Sequence, residues 1–70
     1  MTQLLPVLKA LAYPTRLRIA RLVSQIEMAV GELAELLGQS QPRISRHVRI
    51  LDEAGLVERR KEGAWVFLRP

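Results

Sequence analysis

The sequence predicts one small, mainly α domain of about four helices followed by a two-stranded β-hairpin. Two observations carry this. Apolar residues recur at helical spacing in four segments, each bounded by proline, glycine or a short polar residue. After the last of these, two β-prone runs are joined by a glycine-containing loop. A third observation fixes the scale: 70 residues leave no surface for a second core, so residues 1–70 are read as a single domain.

The first helix is expected from about Thr2 to Ala12, with Leu4, Leu8 and Leu11 on one stripe that Leu5 and Ala12 widen. Pro6 falls near the first turn, where a missing N–H costs little. Tyr13-Pro14 ends this helix, and Thr15 begins the second, read to about Gln25. Ile19, Ala20, Val23 and Ile26 share its inner face, and Arg18 and Arg21 share its outer one. The third runs from about Val30 to Leu37 with Leu33, Ala34 and Leu37 inward, and Gly38 is its stop.

Ser40 is the N-cap of the fourth helix, Pro42 lies in its first turn, and Gly55 terminates it after Ala54. Ile44, His47, Val48, Leu51 and Ala54 fall on one side of its wheel. Pro42, Ser45, Arg46, Arg49, Asp52 and Glu53 fall on the other. Leu56–Arg60 and Ala64–Leu68 are the expected strands, joined by a three-residue turn, Lys61-Glu62-Gly63. A short helix, the turn Gly38-Gln39-Ser40-Gln41, a longer helix and a basic hairpin make the order of a winged helix-turn-helix.

Composition narrows the function. Apolar residues make up 49% and charged residues 26% of the chain, as in ordinary globular domains. The sequence holds no cysteine and one histidine, so no disulfide, thiolate metal site or thiol chemistry is expected, and no cofactor is implied. The longest apolar runs fall far short of the roughly 18 residues that cross a bilayer, and no charged lead with an apolar block opens the chain. A cytoplasmic protein without a membrane partner is the expectation.

The formal charge is +4, and most of it, +3, lies in residues 39–70. A polyanion docking on that half is the natural partner, nucleic acid before anionic lipid. The fourth helix suits the major groove, which admits an α-helix and shows a distinct donor and acceptor pattern for each base pair. The candidate DNA contacts are Gln39, Ser40, Gln41, Pro42, Arg43, Ser45, Arg46 and Arg49 on that helix and its approach. Arg59, Arg60 and Lys61, expected at the hairpin tip, would reach flanking phosphates or a minor groove.

The segments LKALAYPTRLRIARLV and VGELAELLGQSQPRISRHVRILDEAGLVERRKEGAWVFLR, in this order, resemble the ArsR family of bacterial winged-helix transcriptional repressors. The likeness runs from about Leu8 to Leu68. It implies a homodimer on an inverted repeat of double-stranded DNA, with the helix from Ser40 as recognition helix and residues 57–69 as wing.

Three departures stand out. Metal-sensing members place a cysteine pair where this chain reads Met28-Ala29-Val30-Gly31, which offers no such ligands. Tyr13 stands where the family usually has Asp, leaving Thr15 as the nearest substitute cap. Most members also continue past the wing into a further helix that completes the dimer interface. The chain is similar in particular to the regulator-like domain joined to S-adenosylmethionine-dependent methyltransferases. Two alternatives therefore stay open: a complete short regulator, or the N-terminal DNA-binding or interaction domain of a longer methyltransferase chain.

Other residues read more plainly. His47, beside Ile44 and Leu51 on the wheel, is expected to be a packed structural residue rather than a ligand. Trp65 and Phe67 are expected to pack the hairpin on the helices rather than to stack on bases. Ser45 has no neighbouring base to make it a nucleophile, and Glu32, Glu35, Asp52 and Glu53 read as solvated charge, so no catalytic residue is assigned. For Arg16, Arg18 and Arg21, phosphate contact and plain solubilisation remain equally open. An interaction module on the same fold would not need cations on both the helix and the wing.

Overall fold

The computed structural model describes residues 4–70. Helices α1 (Leu4–Leu11) and α2 (Pro14–Val23) lead into a short strand β1 (Met28–Ala29). Helices α3 (Val30–Leu37) and α4 (Gln41–Glu53) follow, and strands β2 (Glu58–Glu62) and β3 (Trp65–Arg69) close the chain. The expected start of the first helix at Thr2 lies outside the described residues. No helix among those described is long and apolar enough to cross a membrane.

Sequence punctuation marks the start of α2 and the end of α3. Pro14 occupies the first turn of α2, where it lacks only an N–H that has no intrahelical partner. Tyr13 is the N-cap residue and offers no side-chain bond, so Thr15 is not the cap expected of it. The second helix ends at Val23, short of Gln25, and Ile26, expected inside, is 61% exposed. At the end of α3, Gly38 takes φ 65°, and the Gln39 N–H reaches back to the Ala34 carbonyl at 3.0 Å. That left-handed residue lets the chain reverse without a Cβ penalty. At the start of α3, Glu32 accepts from the Ala29 N–H at 2.8 Å, and alanine returns no side-chain bond.

The wing is larger than a hairpin. The sheet order is β1-β3-β2, both pairings antiparallel, with Met28 opposite Leu68 and Ala29 opposite Phe67. The two-stranded expectation is therefore corrected to three strands. A strand of two residues has too few positions for a period to show. The hairpin register also differs: Glu62 pairs with Trp65, so the turn is Gly63-Ala64, with φ 61° at Gly63. A two-residue turn with positive φ at its first position matches the right-handed twist of the strands better than the longer turn read from the sequence.

The core lies between α2, α3, α4 and the inner face of the sheet. Ile19, Leu33, Ile44, Leu51 and Leu68 are fully buried in it. Leu33 and Ala34 of α3 and Ile44, Val48 and Leu51 of α4 are the inward faces expected, while Ala54 and His47 are only half-buried. On β3, Val66 and Leu68 face the helices. The expectation that Trp65 and Phe67 would pack there is corrected: Trp65 is 59% exposed and Phe67 half-buried. Strand alternation puts residues 65 and 67 on the same face and opposite to 66 and 68.

Arg16, open to two readings in the sequence, is buried at 9% exposure. Its Nε donates to the Ala10 carbonyl at 2.6 Å and Nη2 to the Lys9 carbonyl at 3.2 Å, the last turn of α1. Its guanidinium also lies 4.4 Å from the Tyr13 ring centre. This side chain is a structural tie and not a free surface cation. Arg16→Met should destabilise the fold by about 2 to 4 kcal/mol, since two α1 carbonyls lose their donor. Leu36→Ala, at an exposed position, should change stability by less than about 0.5 kcal/mol. Urea midpoints of the two variants check both.

Candidate nucleic acid interface

Ser40 caps α4 by accepting from the Arg43 N–H at 3.3 Å, and Pro42 fits the first turn behind it. Gln39 is half-buried, and its Nε2 donates to Thr15 Oγ1 of α2 at 3.2 Å, which ties the turn to the second helix. These two candidates are occupied in holding the helix in place. Gln41 is exposed and lies over Gly31 of α3, where a Cβ would come 2.8 Å from Gln41 Nε2.

Beyond the cap, α4 shows solvent a continuous polar face. Pro42, Ser45, Arg46 and Arg49 line a groove whose far wall is Arg59 of β2. This groove brings helix and wing residues together. Arg59 is held there by Asp52, whose Oδ2 accepts from Nε at 2.8 Å. An ion pair as exposed as this adds little stability, about 1 kcal/mol or less. Its structural effect is to aim Arg59 along the helix and to cancel the charge of Asp52. Lys61 lines the same side one pleat further on, with Asp52 and Val66.

Arg60 is not in that group. It stands opposite Phe67 on the outer face of the sheet, its guanidinium 5.0 Å from that ring centre. It pairs there with Glu62 and with Glu27 at 3.2 Å, which together hold its charge still more firmly. Glu58 and Arg69 pair on the same face at 3.0 Å. None of Arg59, Arg60 and Lys61 sits at the hairpin tip; all three lie within β2. Counting by two from buried Val57 separates Arg59 and Lys61 from Arg60, a signal present in the sequence. The roles of Asp52 in setting Arg59 and of Thr15 in holding the turn carry no sequence motif.

On the flank of α4 that faces α2, Arg16 Nη1 lies 3.4 Å from His47 Nδ1. Tyr13 lies against the same imidazole, with ring centres 5.9 Å apart. His47 is thus the packed, hydrogen-bonded residue expected. Burial, and then the charges of Arg16, Arg43 and Arg46, hold it below the ordinary histidine range. Among the described residues, no three His, Asp or Glu side chains gather as metal ligands would.

Comparison with known proteins follows the same outline. The family model described as "Bacterial regulatory protein, arsR family" matches residues 13–59. The arsenical resistance operon repressor of Escherichia coli is 49% identical over 72 residues, spanning 99% of this chain and 62% of that protein. A biofilm growth-associated repressor of Agrobacterium fabrum is 41% identical, over 97% of this chain and 58% of its own length. The chain thus spans about three fifths of these two relatives. Among solved structures, a homodimeric winged helix-turn-helix DNA-binding domain of Mycobacterium bovis superposes with a TM-score of 0.90 at 38% identity. It covers 97% of this chain and 63% of that one.

Because the folded state lowers the proton affinity of His47, the unfolded chain binds the extra proton more readily. Stability is therefore full above the ordinary histidine pKa of about 6.5 and falls as pH drops below it. The slope should stay under about 1.4 kcal/mol per pH unit, the limit for one proton. Urea unfolding from pH 7.5 to 5, with His47→Gln as the flat control, checks it.

Proposed function

The chain belongs to the arsR family of bacterial regulatory proteins, and from that premise we propose that it binds double-stranded DNA sequence-specifically, as a homodimeric cytoplasmic transcriptional repressor. The observation that carries this is the groove in which Ser45, Arg46 and Arg49 of α4 face Arg59 of β2. One exposed helical face flanked by a basic strand suits a major groove with phosphates on its rim.

Within this reading Ser45 and Arg46 touch base edges, and Pro42 and Gln41 pack at the groove mouth. Arg43, Arg49, Arg59 and Lys61 meet phosphates. Gln39 and Ser40 act by positioning the helix, and Arg60, turned to the other face, stays out of the contact set. Nothing in the site assigns catalysis. The relatives are regulators, which favours a regulator over the methyltransferase-linked alternative for any longer parent chain.

Leu4, Leu5 and Leu8 are each more than half exposed on α1. Three leucines on one short helix form an apolar patch of the kind that marks an interface, and the Mycobacterium bovis neighbour is a homodimer. The patch is proposed as part of the dimer contact. Leu8→Glu should shift sedimentation at tens of micromolar toward monomer. A wild-type chain that stays strictly monomeric, yet binds a palindrome tightly, would contradict the patch.

Reader and anchor separate by mutation. Arg46→Ala should cost about 1 to 3 kcal/mol on a duplex selected from a random-sequence pool, and lower the ratio of selected to scrambled affinity. Lys61→Ala should weaken both duplexes alike and reduce the salt slope by about one. Salt titrations of each variant on both duplexes test the assignment. Equal losses on both duplexes for Arg46→Ala, with a collapsed ratio for Lys61→Ala, would reverse it.

A further inference from the structure

A second depression, of about 420 Å³, opens on the flank of α4 that faces α2, away from the groove shared with the wing. Tyr13, Thr15, Gln39, Arg43, Arg46 and His47 line it, with Arg16 at its base. Three guanidinium groups meet here, and no carboxylate lines the cleft. Arg16 is committed to the Lys9 and Ala10 carbonyls and to His47 Nδ1. Arg43 is exposed, and its side chain has no hydrogen-bond or ion-pair partner among the described residues. Because a guanidinium only donates, Nδ1 accepts from Arg16 in the neutral ring and Nε2 carries the proton. A proton taken up by the ring adds at Nδ1, which gives up the 3.4 Å Arg16 contact and frees Nη1 to donate to an anion in the cleft.

We propose that this cleft, which shares Arg46 with the reading groove, is a phosphate site that takes one phosphodiester of the DNA strand beside α4, with Arg43 as its anchor and His47 taking up a proton at Nδ1 as the phosphate arrives. The proposal rests on the DNA-binding reading above. Arg16 and Tyr13 face the imidazole from α2 and its cap, and Arg43 and Arg46 face it along α4. α1 meets the cluster through Arg16. The charged neighbours are all cations, so an anion seated among them offsets the repulsion that, after burial, lowers the proton affinity of the ring. Burial of the ring still opposes its charge, so uptake reaches at most one proton.

Linkage sets the sign. A complex that binds a proton more readily than the free protein tightens as pH falls, by at most about tenfold per pH unit for one site. At fixed ionic strength, wild-type protein on a random duplex should bind about three- to tenfold more tightly at about pH 5.5 than at about pH 7.5. In His47→Gln, where the amide oxygen can still accept from Arg16, that dependence should flatten while binding persists. Arg43→Gln should lose about one unit of salt slope and most of the pH dependence. Equal pH dependence in wild type and His47→Gln, or an unchanged salt slope in Arg43→Gln, overturns the site and leaves the DNA-binding reading standing.

Failure of every variant to bind any duplex at low salt would instead sink that earlier reading. The cleft is then decided by inorganic phosphate alone, followed through the His47 ring resonances at about pH 6. Shifts that saturate at millimolar phosphate and vanish in Arg43→Gln support the site. Shifts equal in both proteins, or none, overturn it.

Discussion

The guanidinium of Arg16 links α4 to the first two helices. It is the one charged side chain buried among the described residues. Burying a cation is costly unless its donors are met. Here two backbone carbonyls from the end of α1 accept, an aromatic face covers it, and a histidine of α4 closes the set. These partners come from three stretches of chain, so the arrangement is satisfied only when α1, the α1–α2 turn and α4 are all in place. Apolar contacts tolerate sliding; this set of directed bonds does not.

The turn before α4 repeats the logic with weaker groups. Gly38 reverses the chain, Gln39 ties it back to Thr15 on α2, and Ser40 caps the next helix. The exposed arginines of α4 are therefore presented by a helix that packs against α2 and α3. Under the proposed DNA-binding role such support helps, because less side-chain freedom remains to be lost on contact.

Most of the helical frame was legible in the sequence because punctuation and period agree there. Val30–Leu37 with Gly38 behind it, and α4 with Ser40 before it, combine an apolar stripe with a chemically specific end. The misreadings share another cause. Thr15 looked like a cap and Arg16 like a surface cation because the partners that define them, Gln39 and the Lys9 and Ala10 carbonyls, are brought near only by folding. The hairpin turn slid because Gly63 fits either a two- or a three-residue loop, and that slip carried Arg59, Arg60 and Lys61 from the tip into the strand. In the candidate site, the period of α4 marks its exposed face, and the sidedness of the wing is written in the strand alternation. Alternation from Val57 already puts Arg60 apart from Arg59 and Lys61.

The order β1-β3-β2 leaves two open sheet edges, and open edges invite pairing with strands of other molecules. One edge is only two residues long. The other reads Glu-Arg-Arg-Lys-Glu without an apolar side chain. A second copy approaching that edge in either direction would bring rows of charge together as it tried to add a strand. Pairing through the sheet is thereby disfavoured, while the proposed contact at the leucines of α1 carries no such charge. The charges of β2 thus also act against aggregation.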